Sequence, residues 1–100
     1  MRSNIVYYKA ARGLHKQITN SGFAVSPYLL SAGIDPPTFY RWIKKEEEER
    51  TSPGFRSKFK LVDLLSKFKG VELTCDVVRE MSEDGPLPLV TDYVERLLKN

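Results

Sequence analysis

Scarcity is the first thing this chain offers. Its 100 residues include one cysteine, one histidine and one tryptophan. A lone Cys75 can form no internal disulfide, so the fold must rest on a packed core, and the cysteine usage suits a reducing compartment. His15 has no cysteine or histidine partner at ligand spacing, which argues against a metal centre. No apolar run approaches the roughly 20 residues of a membrane-spanning helix. The opening stretch, Met1 to Tyr8, has no sustained apolar segment and no small-residue cleavage site, so the expectation is a soluble, cytoplasmic and unsecreted protein. Also missing are a phosphate-cradling glycine loop, a nucleophile elbow and a His/Glu metal motif. An enzyme, a cofactor and a small-molecule substrate are therefore not expected.

Present instead is a polarised charge distribution. The formal net charge is only +3. Residues 1–45 carry seven Lys/Arg against one acidic residue, Asp35, whereas residues 71–100 carry three against seven. A basic amino-terminal half attracts a polyanion, and an acidic carboxy-terminal part is repelled by the same phosphates.

The apolar pattern is helical throughout. Tyr7, Ala10, Ala11, Leu14 and Ile18 recur at intervals of three, one, three and four, predicting an amphipathic helix over 4–20. Ser26-Pro27, Asp35-Pro36 and Ser52-Pro53 each read as a helix start, with a capping oxygen followed by a residue that loses no needed donor. A short helix over 26–32 stops at Gly33, and a third begins at Asp35 and runs through Phe39, Trp42 and Ile43 into Glu46–Glu49. Lys44 with Glu48 and Lys45 with Glu49 are helical neighbours there. Farther on, Leu61, Leu64, Phe68, Val71, Cys75 and Val78 keep a heptad stripe in phase across Gly70, predicting one helix over 53–82, about 45 Å long. Cys75 reads as a small core residue of that stripe. A strand over 71–77 is the rival reading, because Val71, Leu73, Cys75 and Val77 also alternate. Gly85-Pro86-Leu87-Pro88 marks a turn, and Leu89, Val90, Tyr93, Val94 and Leu97 form the apolar face of a last helix.

The expected fold is all-α: a three-helix helix-turn-helix region over 1–50, then a long helix and a short final one over 51–100, in one compact domain. A short helix, a glycine turn and a second helix match the helix-turn-helix, whose steep crossing needs a small or positive-φ residue. Ile34 would plug the crossing, and Leu29, Phe39, Trp42 and Ile43 would bury the inner faces. Pro37, Thr38, Tyr40, Arg41, Lys44 and Lys45 would then face a DNA major groove or its phosphates. Lys9, Arg12 and Lys16 share one side of the first helix and are candidate phosphate contacts. Leu61, Leu64, Phe68, Val71 and Val78 are candidate assembly residues.

Ala32-Gly33-Ile34-Asp35 followed by Thr38-Phe39-Tyr40-Arg41-Trp42 and Lys44-Lys45 resembles the helix-turn-helix of phage small terminase subunits and of transposase and resolvase-type domains. Pro53-Gly54-Phe55-Arg56, Val77-Val78-Arg79-Glu80 and Glu83-Asp84-Gly85 are similar in order to later segments of the terminase-like proteins, so the resemblance covers about 24–98. It implies double-stranded DNA binding by the second motif helix and homo-oligomeric assembly by the helices after it. Pro36-Pro37 depart from the pattern, because they stand where polar or basic side chains usually open that helix. Three roles stay open: a packaging factor, a transcriptional or recombination regulator, and a protein-interaction module that no longer binds DNA.

Overall fold

The computed structural model describes residues 3–44, 54–83 and 88–99, and these are all-helical. Six helices are present among them: α1 (Ser3–Asn20), α2 (Val25–Ser31), α3 (Pro36–Ile43), α4 (Phe55–Lys69), α5 (Cys75–Met81) and α6 (Pro88–Leu98). α1 is the common support. It touches α2, α3, α4 and α6, and its Tyr7, Ala10, Ala11, Leu14 and Ile18 are all fully buried, as the helical spacing predicts. Leu29 of α2, Phe39 of α3, Leu61 and Leu65 of α4, Met81 of α5 and Val90 and Val94 of α6 complete one shared core, so residues on both sides of position 50 pack together. Removing such apolar area from water is the main favourable contribution to folding.

The one long helix expected over 53–82 does not form. Gly70 lies in the left-handed region at φ +68°, the Gly70 N–H donates to the Lys67 and Ser66 carbonyls, and the Val71 N–H donates to the Ser66 carbonyl at 3.0 Å. This terminating motif satisfies the orphan carbonyls of α4. Thr74 then starts α5, its side chain accepting from the Val77 N–H at 3.4 Å, with Asp76 in the first turn where negative charge is favoured. Residues 70–74 link two helices, and no strand forms among the described residues.

Breaking the helix redistributes the heptad stripe. Leu61 is in the core, Leu64 and Phe68 pack against it, Val78 is half-buried, and Val71 and Cys75 are exposed. Cys75 is therefore not a core residue. Val77 and Met81, one to three residues out of phase with the stripe, are what α5 buries. The stripe's first half serves the fold of a single chain, and no continuous heptad face exists.

The other helix starts divide. Asp35 caps α3, with its carboxylate accepting from the Thr38 N–H at 3.2 Å. Ser26 does not cap α2: the helix begins at Val25 behind an extended Ala24, placing Ser26-Pro27 inside the first turn, where proline's missing N–H costs nothing. Ser52-Pro53, the glutamate run with its Lys44–Glu48 and Lys45–Glu49 pairs, and the turn over 85–87 lie outside the described residues, while Pro88 opens α6.

Candidate nucleic-acid interface

The turn between α2 and α3 is built from backbone hydrogen bonds and one glycine. Ala32 and Gly33 donate back into the last turn of α2, and the Ile34 N–H donates to the Leu29 carbonyl at 2.8 Å. Gly33 sits at φ +80°, a conformation that a side chain resists. From that bend Ile34 points inward and is 7% exposed. The expected plug is in place.

At about 100° per residue, the positions of α3 divide into an inner arc and an outer one. Phe39 is fully buried against α1, and Trp42 and Ile43 pack half-buried against the core. On the outer arc Pro37, Arg41 and Lys44 are exposed, with Tyr40 and Thr38 half-buried on its two edges. Lys45 lies outside the described residues.

The Tyr40 edge leans on α1. His15 is half-buried between rings, with its centroid 6.4 Å from that of Phe39 and 6.0 Å from that of Tyr40, the latter edge-on at 71°. Its place is explained by aromatic packing. One turn before His15 along α1, Arg12 is half-buried, and Lys16, the residue after His15, is exposed. Lys9 is set apart from this edge. It lines a groove between α1 and α6 with Asp92, Glu95, Arg96 and Lys99, a mixed set of charges.

The Thr38 edge carries a relay of hydrogen bonds. The Arg41 guanidinium donates to the Thr38 hydroxyl at 3.3 Å, and that hydroxyl donates to the Asp35 carboxylate at 2.6 Å. A carboxylate partner shortens and strengthens such a bond. Thr38 is thus both part of the helix cap and a brace on Arg41, which restrains a long side chain that would otherwise lose more entropy on binding.

Beside that edge, α4 contributes residues that the spacing of the recognition helix does not reveal. Gly33, Ile34, Asp35, Thr38 and Trp42 on one side and Arg56, Ser57 and Lys60 on the other line a cleft of about 180 Å³. The Lys60 ammonium donates to the Gly33 carbonyl at 2.7 Å, tying α4 to the turn. A signal for part of this was legible. Arg56 and Lys60 are four residues apart and so share a helix face, but only tertiary packing brings that face to Gly33.

Among the described residues no helix is long and apolar enough to cross a membrane. In comparisons with known proteins no family model matches the chain, and no curated protein and no solved structure matches it.

Proposed function

We propose that this protein binds double-stranded DNA through α3, with Arg41 and Lys44 meeting the duplex and Tyr40 and Thr38 at the margins of the contact. The observation that carries the reading is the outward arc of α3, projecting two exposed cations from a helix held by the buried Ile34 and Phe39 behind a left-handed Gly33. A helix so supported presents a rigid convex face of the width a major groove accepts. Pro37, at the start of that face, has no hydrogen-bonding side chain, so affinity comes mainly from phosphate neutralisation and depends steeply on salt. Lys45 extends the same basic run in sequence. Of the candidate contacts on α1, Lys16 is exposed on the helix that supports α3, whereas Lys9 lines the groove toward α6.

Self-association is the second part of the reading. Phe23, Tyr28 and Phe68 form a run of neighbouring rings at 5.3 and 5.6 Å, and Phe23 is 53% exposed. Exposed apolar patches mark contact surfaces more often than isolated apolar residues do. A multi-copy ring would place the protein with the phage packaging subunits whose helix-turn-helix it resembles. A dimer reading half-sites about 34 Å apart would place it with transcriptional or recombination regulators. Either role requires a compartment that holds duplex DNA, which for such a protein is the cytoplasm.

A competing reading, a protein-binding module without DNA affinity, is favoured by one observation: Arg41 is drawn back onto Thr38 and Asp35. Measuring binding to a short mixed-sequence duplex at low salt, together with solution mass, separates these possibilities. Wild-type protein is expected to bind, and Arg41→Ala combined with Lys44→Ala to bind at least tenfold more weakly, an estimate of about 1.4 kcal/mol or more for two lost phosphate contacts. Absence of binding by the wild type leaves the protein-binding module standing.

A further inference from the structure

We infer that the cleft between the start of α3 and the start of α4 is a phosphate clamp for the duplex backbone, with Arg56 and Lys60 as its cations and Ser57 as its hydroxyl donor. The inference rests on the DNA-binding reading above and adds a contact on the side of α3 away from α1.

The argument starts from charge. Arg56, Ser57 and Lys60 line the cleft together, which places two positive groups at one small concavity. Arg56 is exposed and takes part in no ion pair among the described residues, and Lys60 holds only a neutral carbonyl. The single carboxylate there, Asp35, is occupied by the Thr38 N–H and hydroxyl. The cleft therefore keeps a net positive charge.

Its shape and depth suit an anion carried on a strand better than a free organic ligand. About 180 Å³ is below the roughly 300 Å³ at which small-molecule sites begin. Arg56, Ser57 and Lys60 offer donors from α4, and Ile34 and Trp42 supply apolar wall on the other side. Gly54, the N-cap of α4, has no side chain to satisfy the first N–H groups of that helix, so these add to the donors nearby.

Position completes the argument. The cleft borders Thr38, which the Arg41 guanidinium touches, so a phosphate in the cleft would be next to the strand that Arg41 approaches. On the opposite edge of α3, Tyr40 packs against His15 of α1, the helix that also carries Arg12 and Lys16. A helix in a groove is oriented by backbone contacts on either side of it, and these fix register without reading sequence. The clamp supplies the missing side.

The test measures affinity for a short mixed-sequence duplex against salt between about 50 and 200 mM, for wild type, for Arg56→Gln with Lys60→Gln, and for Arg56→Glu alone. The double variant is expected to bind more weakly and to lose about 0.9 in the slope of log affinity on log salt for each phosphate contact removed. Arg56→Glu should weaken binding further than the loss of one contact, because it places a repelling charge in the cleft. Its site is exposed, so it keeps the test valid if the double variant fails to fold by circular dichroism. Wild-type binding with slope and affinity unchanged in Arg56→Glu overturns the clamp and leaves the α3 reading intact. No duplex binding by the wild type overturns both.

Discussion

Gly33 and Gly70 occupy the same kind of position and produce different results. Each adopts a left-handed φ, +80° and +68°, at the end of a helix, and each is followed within four residues by a side-chain cap, Asp35 or Thr74. After Gly33 the next residue, Ile34, enters the core, and Lys60 grips the glycine's carbonyl. After Gly70 the next residue, Val71, is exposed, and nothing lies within 4 Å of where a Cβ would be. Both glycines end a helix; only the first is locked into a crossing. A turn signal specifies a change of direction, and the packing around it specifies how rigidly that direction is held.

The largest expected effect tests that contrast at the helix each turn delivers. Phe39→Ala removes the buried ring by which α3 is anchored to α1 and should cost about 3–5 kcal/mol. Val77→Ala, at the first buried residue of α5, should cost only about 1.5–3 kcal/mol. Urea denaturation of both variants checks the order, and equal losses would mean that the two turns are held alike.

The glycines themselves come next. An alanine at either position incurs the left-handed penalty of about 1–2 kcal/mol. In Gly33→Ala the new Cβ would also displace the Lys60 ammonium, 2.7 Å away, from its hydrogen bond to the carbonyl of residue 33, costing about 0.5–1.5 kcal/mol more. The melting temperature should therefore fall further for Gly33→Ala than for Gly70→Ala.

A smaller effect links α1 to the second turn's helix. The Tyr7 hydroxyl is buried with no hydrogen-bond partner among the described residues, although its ring carries the Lys58 ammonium 5.2 Å from its centroid. Burial pushes the phenol well above its ordinary 10.0, and the negative charge of Glu80 adds to this. Since the native state holds the neutral phenol, its stabilising contribution is complete below pH 10, where the unfolded chain is also protonated, and declines as pH rises beyond that. Tyr7→Phe should raise stability by about 1 kcal/mol at neutral pH by removing an unsatisfied polar group. It should also flatten the loss of stability above pH 10, read by denaturant titration at alkaline pH. Tyr93→Phe should instead lower stability, because the Tyr93 hydroxyl is hydrogen-bonded to Ser66 Oγ at 2.7 Å.

Much of this architecture was legible residue by residue. The face of α1, the stop at Gly33, the cap at Asp35 and the inner arc of α3 all follow from local periodicity and capping chemistry. The continuous helix over 53–82 failed for a definable reason. An in-phase apolar stripe argues for continuity across the glycine, yet hydrogen bonds at Gly70 and Thr74 satisfy both helix ends, and Val77 and Met81 are buried where Val71 and Cys75 are exposed. Ser26 failed as a cap because the helix starts one residue before it.

The candidate interface divides in the same way. Arg41 and Lys44 were readable from the outer arc, since side chains about 100° apart on one helix sort themselves by face. The place of Lys9 in the groove between α1 and α6 was not readable, nor was the approach of Lys60 to Gly33 across 27 residues. By itself, then, the sequence determined the helices of the first half, the cap at Asp35 and the polarity of the charge, all of which depend on neighbours within a few residues. Which cations share a surface, and where the second half bends, was decided by tertiary structure, because those outcomes depend on one helix packing against another far away in the chain.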